Sequence, residues 1–509
     1  MLRGLSGAVT SNAKQGSGRR IRRYGWLCAY LAAAPALLPA AQGAEPASRP
    51  DKALRRRVEA RIDAFVAAHG GVVGVSATDL EAGRPLLAVR EGRLFLPASN
   101  QKLLTSATAL QRLGGRFRFV TGVFRAGPDV VVAGEGDPTL GDPHLAERAG
   151  RTIYHELDAW AAAVRRDANS IRDLVLCIDP RRGGRHPDWP AGQKRKWYVA
   201  PVSTLNFHNN CFDVTFTSFG GRLVPVLSPG GRFFRVIDRL RRGRSHLWSL
   251  TPSPDCGTVT LTGSIRGASD KPQSIAIDRP EMLLGRTLAD RLARAGVAMT
   301  GRITAAAPSE IDWASARPLC RTATPLFTVM HRANKRSQNM VAEALFLRAG
   351  DGTWAGSAEI MTQTLGRTYG LGAGSFTVAD GSGMSRRNGV APGALTKLLT
   401  ALAARRDSML VLLSLPVGGV DGTLADRFTT GPGRRRVVAK TGYLAGASSL
   451  SGYLLDRSKR VRIVFSIMVN GFRGGPEPAK RLQERLCELL IEQMDRAAAG
   501  EEKLQPGQR

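Results

Sequence analysis

The chain is 509 residues long, 43% hydrophobic, with a formal net charge of +31. That length predicts two or three domains, and the composition excludes collagen, coiled coil and wholesale disorder. Beyond the N-terminus no apolar run approaches the ~20 residues that a membrane-spanning helix needs, so membrane association is expected to be at most peripheral.

In chain order, Arg19, Arg20, Arg22 and Arg23 precede an apolar stretch from Tyr24 to Ala41, and Ala41-Gln42-Gly43 supplies small residues for cleavage. Residues 1–43 therefore read as an export signal, which places the mature chain in the periplasm or otherwise outside the cytoplasm. They carry six basic residues and no acidic one, so the mature charge is near 31 − 6 = +25. A charge of that size attracts anionic polymers. With no nucleic-acid motif and only 6% aromatic residues, the expected partner is an envelope polymer and not DNA or RNA.

After a Pro-containing linker at 44–50, residues 51–69 place Leu54, Val58, Ile62, Phe65 and Val66 at helical spacing. VVGVSATDL and PLLAVREG read as a strand hairpin. LPASNQKLLTSATALQRLGG follows as a helix with Ser99 at its start and Gly114-Gly115 at its end. From 116 to 317 short β-like runs (FVTGVF, DVVVAG, LVLCID, VTLTGSI) alternate with Gly, Pro and Arg clusters, interrupted by a helix near 144–166. This segment is expected to form one or two inserted β-rich domains. Helical spacing resumes over 325–350. VVAKTGYL, SSLSGYLLD and RVRIVFSIMVN predict an antiparallel meander, followed by an amphipathic helix over 476–497 and a frayed tail over 498–509. Both ends of the chain thus build one antiparallel sheet with covering helices, an α/β (α+β) catalytic domain of residues 44–115 and 318–498, and 116–317 is an insertion in it.

Cys28 lies in the signal, which leaves five cysteines, an odd number; Cys211 and Cys256 are a candidate disulfide pair. No C-x-x-C spacing exists, His155-Glu156 has no second histidine at a zinc-helix spacing, and no metal or cofactor is expected.

Three triplets carry chemistry. In Ser99-Asn100-Gln101-Lys102 the serine and lysine lie one helical turn apart on one face. A serine hydroxyl needs a base, and a lysine discharged by burial can be one, while a helix start offers N–H groups to an oxyanion. Ser11-Asn12-Ala13-Lys14 has the same spacing inside the export signal and means nothing. Ser337-Gln338-Asn339 offers a second hydroxyl and an amide. Lys440-Thr441-Gly442 puts a cation, a hydroxyl and an unobstructed backbone on a strand. Each alone is also consistent with a helix cap, a polar loop, or an edge-strand lysine before a turn, whose removal would leave folding almost unchanged.

The ordered set resembles the penicillin-recognising serine enzymes. The 337 − 102 − 1 = 234 residues between Lys102 and Ser337, with GEGDPTL (134–140), LNFHNNCFDV (205–214), DGSGMSRRN (380–388) and LPVGGVDGTL (415–424), narrow the resemblance to class C penicillin-binding proteins, the D-alanyl-D-alanine carboxypeptidase/endopeptidase family with inserted domains. The resemblance implies a penicillin-binding/β-lactamase-like fold, peptidoglycan stem peptides as substrate and β-lactams as ligands. It implies Ser99 as acylated nucleophile, Lys102 as proton acceptor, Ser337 as proton relay, Asn339 and Lys440 as polar network, and Thr441 and Gly442 beside the substrate. The oxyanion hole would use the N–H groups of Ser99 and Tyr443. Tyr443 stands where that family has a small hydroxyl residue, so its bulk is expected to narrow or reshape the cleft. Asp380 and Ser382 read as structural. A β-lactamase would share this chemistry, but no E-x-x-L-N segment is present. The intact serine, lysines and asparagine speak against an inactive wall-binding scaffold, and the lack of G-x-S-x-G against a Ser-His-Asp hydrolase.

Overall fold

Apolar residues at alternate positions of Val72–Asp79, Ala447–Leu455 and Val461–Asn470 give one sheet two buried faces. The computed structural model describes residues 52–220, 222–405 and 409–503, and the export signal and linker expected over 1–50 lie outside them. The sheet has the strand order Val437–Leu444, Ala447–Leu455, Val461–Asn470, Val72–Asp79, Arg84–Val89, antiparallel throughout. Register joins the chain ends directly, with Val75 opposite Ile467 and Ser451 opposite both Ser466 and Lys440.

One face packs Val73, Val75 and Ala77 against Leu54, Val58 and Ile62 of helix Lys52–His69 and Leu486 and Leu490 of helix Glu477–Lys503. The last helix runs six residues beyond the expected 497, so the segment read as a frayed tail begins as helix. The other face carries a second core, built on helices Gln101–Leu113, Leu326–Lys335, Asn339–Ala349, Trp354–Tyr369 and Pro392–Ala403. Helix Gln101–Leu113 runs through its middle, with every residue from Gln101 to Leu110 buried. This is the antiparallel sheet with covering helices that the sequence predicts.

The stretch 325–350 is two helices, because Arg336–Gln338 interrupt it and Ser337 takes a φ of +56°. The helix expected near 144–166 is likewise split, into Pro143–Ala149 and His155–Asp167.

The intervening segment holds a mixed five-stranded sheet in the order Ile303–Ala306, Leu174–Cys177, Asp129–Gly134, Arg118–Ala126, Arg317–Pro325, so its pairing continues to residue 325. Two three-stranded sheets, a two-stranded sheet, helix His155–Asp167 and helix Pro280–Arg294 join it around one apolar core. That helix, within a stretch read as β, begins with proline at its first turn and buries Leu283, Leu284, Leu288 and Leu292 at helical spacing.

The five cysteines among the described residues are free thiols, so Cys211 and Cys256 form no disulfide. Both are buried, and burial pushes the Cys256 thiol up to about 12. Among the described residues no helix is long and apolar enough to cross a membrane.

Candidate active site

Pro97 ends an extended approach to the central helix, and Ala98 takes the left-handed φ of +47° just before Ser99. A non-glycine residue there is strained, and such strain persists only where surrounding structure imposes it. Two neighbours impose it. Ser449 Oγ donates to Pro97 O at 2.6 Å, and the Asn100 side chain meets Ser451 Oγ at 2.7 Å. Both serines stand on the strand beside Val437–Leu444, so the sheet itself fixes the start of the helix.

One turn on, Lys102 is fully buried. Its Nζ donates to Ser99 Oγ at 2.9 Å, Asn339 Oδ1 at 2.8 Å and the Ser382 carbonyl at 2.9 Å. Burial pushes the Lys102 ammonium down to about 7, against the opposing charges of Glu343 and Asp380. An amine titrating near neutrality can take a proton from a hydroxyl in contact with it.

Lys440 is also fully buried, so it is not an edge-strand lysine that contributes little to folding. Its Nζ donates to Ser337 Oγ at 3.0 Å and to the Thr441 carbonyl at 2.7 Å. Burial, and then the like charge of Lys102, hold it well below the usual lysine range. Thr441 Oγ1 shares a hydrogen bond with Thr423 Oγ1 at 2.7 Å, and the Tyr443 side chain is 48% exposed at the strand end. A Cβ on Gly442 would lie 2.8 Å from Pro97 O and 2.9 Å from the Ser99 nitrogen, so only glycine allows the strand this close to the nucleophile.

All three triplets therefore converge. Lys102 joins Ser99 to Asn339, Lys440 joins Ser337 to Thr441, and Gly442 abuts the Ser99 backbone.

Glu343 was not among the expected site residues. It lies one turn after Asn339, is fully buried, and accepts the N–H groups of Gly381 and Ser382, each at 2.8 Å. It thereby holds the peptide whose next carbonyl receives Lys102. Burial and the charge of Asp380 push its carboxyl up to about 8. A lone acid within the apolar helix NMVAEALFLRA was the available signal. Asp380 carries the same turn by accepting Gly383 N–H at 2.8 Å, Asn388 Nδ2 at 2.8 Å and Trp189 Nε1 at 3.0 Å.

The intervening segment also reaches the site. Asn339 Nδ2 donates to the Tyr198 carbonyl at 3.0 Å, and Ser385 Oγ donates to Asp188 at 2.6 Å. Lys335, bonded to both Asp421 oxygens at 2.8 and 2.7 Å, ties the 416–424 loop to the helix that leads into Ser337. Among the described residues no group of three His, Cys, Asp or Glu is placed to hold a metal ion.

Comparison with known proteins covers nearly the whole chain. Residues 54–492 match the model of the D-Ala-D-Ala carboxypeptidase 3 (S13) family. The chain is 29% identical over 504 residues to a D-alanyl-D-alanine carboxypeptidase of Actinomadura sp. (strain R39), covering 91% of this chain and 90% of that one. It is 23% identical over 444 residues to the D-alanyl-D-alanine carboxypeptidase DacB of Haemophilus influenzae, covering 82% and 90%. The fold is similar to that of the crystal structure of penicillin-binding protein 4 from Haemophilus influenzae, with a TM-score of 0.70 at 21% identity over 84% of this chain and 99% of that one.

Proposed function

The chain belongs to the D-Ala-D-Ala carboxypeptidase 3 (S13) family, and we propose that it cleaves D-Ala-D-Ala ends of peptidoglycan stem peptides through an ester on Ser99. It is a serine-type carboxypeptidase. The observation that carries the assignment of roles is the 2.9 Å contact between Ser99 Oγ and a fully buried Lys102 Nζ.

The neutral Lys102 amine takes the Ser99 proton as Oγ attacks the carbonyl carbon of the penultimate D-Ala. Negative charge develops on the carbonyl oxygen, for which the N–H groups of Ser99 and Tyr443 are the donors. Ser337 relays the proton taken up by Lys102 to the nitrogen of the departing D-Ala as the C–N bond breaks, and water then hydrolyses the ester and returns the proton to Ser99. Asn339 holds Lys102 through Oδ1 and is itself held by the Tyr198 carbonyl through Nδ2, which fixes the amine beside Ser99. Lys440 and Thr441 take the terminal carboxylate. A carboxylate brought beside Lys440 favours the charged ammonium that burial otherwise disfavours, so substrate binding takes up a proton there.

The same acylation applies to a β-lactam, whose strained ring carbonyl stands in for the peptide carbonyl. An exported chain, periplasmic or otherwise outside the cytoplasm, meets both ligands. Endopeptidase cleavage of cross-links is the same reaction with a larger leaving group.

The test is hydrolysis of a soluble peptide ending in D-Ala-D-Ala. Ser99→Ala should lose several orders of magnitude in rate with thermal unfolding hardly changed. Turnover above a few per cent of the parent removes Ser99 from this role.

A further inference from the structure

The two faces of one sheet in the intervening segment differ sharply. Its strands run in the order Leu247–Pro252, Thr258–Ile265, Arg235–Arg242, the last forming an edge. Side chains alternate across a strand. Val259, Leu261 and Ile265 of the central strand point into the segment's core with Leu250. The register sets Asp238 and Leu240 on that same face, where the Asp238 carboxylate accepts the Leu240 N–H at 2.9 Å.

The opposite face carries no acidic residue. Arg235, Arg239 and Arg241 line its edge, and the register places Thr258, Thr262 and Ser264 beside them. All three arginines are exposed. Ser249 and Thr262, on neighbouring strands of this face, hold each other by a 2.9 Å hydroxyl contact. A rise of ~3.3 Å per residue spaces the arginines about 7 and 13 Å apart.

Of the acidic residues on these strands and their turn, Asp238 lies on the other face and Asp255 pairs with Arg286. Among the described residues no carboxylate comes within ion-pair distance of Arg235, Arg239 or Arg241. Guanidinium groups that stabilise a fold are normally paired with carboxylates. A row of them left unpaired beside ordered hydroxyls suits an external polymer that brings both anions and sugar hydroxyls.

We propose that this face docks the carboxylate-bearing glycan strand of peptidoglycan, with the arginines taking stem-peptide carboxylates and the Thr/Ser rows taking sugar hydroxyls. The identity of the polymer rests on the proposed function, whereas the anion-binding face does not. Docking there holds the enzyme on its insoluble substrate.

The experiment is co-sedimentation of the full chain, carrying Ser99→Ala so that the wall is not digested, with purified insoluble peptidoglycan. The triple variant Arg235→Gln/Arg239→Gln/Arg241→Gln is compared with Arg116→Gln/Arg151→Gln/Arg367→Gln, which removes equal charge at exposed sites elsewhere. The face variant should bind roughly tenfold more weakly, from three exposed charge contacts, while the control set stays within about twofold of the parent. Parent binding should fall steeply as salt is raised, because exposed charges are screened within about 10 Å at 0.1 M. With Ser99 restored, the face variant should hydrolyse a soluble D-Ala-D-Ala peptide at the parent rate. A single reversal, Arg239→Glu, checks the triple variant against misfolding and should also weaken binding. Equal losses in both triple variants would reduce the effect to net charge and overturn the proposal. So would unchanged binding of the face variant, or binding to anionic lipid vesicles or polyphosphate without binding to peptidoglycan. Intact wall binding with no peptide hydrolysis would overturn the proposed function and leave this face standing.

Discussion

Gly442→Ala isolates the approach of the strand to the nucleophile. The added methyl carbon would overlap Ser449 Oγ and sit 2.8 Å from Pro97 O and 2.9 Å from the Ser99 nitrogen. Carbon in van der Waals contact needs about 3.5 Å. The serine side chain can rotate away, at the cost of its 2.6 Å bond to Pro97 O, but the two backbone atoms can retreat only by moving the start of the helix. A displacement of about half an ångström to one ångström is required, and misplacing reacting groups by about 1 Å costs on the order of 100-fold in rate, or about 2.7 kcal/mol of barrier. Overpacking should cost a further 1–3 kcal/mol, roughly, in stability. Adding Ser449→Ala removes the closest contact and leaves the two backbone contacts. The double variant should therefore recover part of the stability and little of the rate. Stopped-flow acylation by a fluorescent penicillin, alongside thermal unfolding, reads both. Acylation by Gly442→Ala within threefold of the parent, at full stoichiometry, would mean that the close approach of this strand does not set the position of Ser99.

Three further outcomes follow from the buried charges. Lys102 must be neutral to accept a proton, so acylation should rise with pH through an acid limb near 7, the value to which burial brings it. Burial and Asp380 raise the Glu343 carboxyl to about 8, so it is largely protonated through that limb; Glu343→Gln should leave the limb near 7 and lower the plateau about tenfold, because one of the two backbone N–H groups loses its acceptor, and a limb displaced by a full pH unit in a pH–rate profile contradicts this. Lys440→Ala leaves a buried void and strips Ser337 of its partner, so denaturant unfolding should register a loss of about 2–5 kcal/mol together with slowed acylation; unchanged stability would mean that the strand end opens to water.

The sheet was legible because both chain ends announce it, Val72–Asp79 by apolar alternation and the C-terminal strands by short connectors. Ser99 with Lys102 and Lys440 with Gly442 were legible because each pair lies within a few residues of sequence, where spacing fixes geometry. Glu343 was not, because the N–H groups it holds are 38 and 39 residues away. Nor was the reach of Tyr198 to Asn339 across 141 residues. Ser337 was identified, but the break that presents it was not. Helical spacing continues on both sides of Arg336–Gln338, and the two helices are separated by backbone conformation alone, the positive φ at Ser337 followed by an extended Gln338. The burial of Lys440 escaped for the same reason, since an edge strand says nothing about what loops fold over it.

The most direct test is the mass of the intact protein after exposure to penicillin. Opening of the β-lactam ring by Ser99 leaves the amine tethered to the acyl group, so it cannot diffuse away, and the ester should outlast a peptide acyl-enzyme. One penicillin should be added per chain, on the tryptic peptide Leu94–Lys102, and none on Ser99→Ala. An adduct that maps to another peptide, or that persists in Ser99→Ala, would contradict Ser99 as the nucleophile.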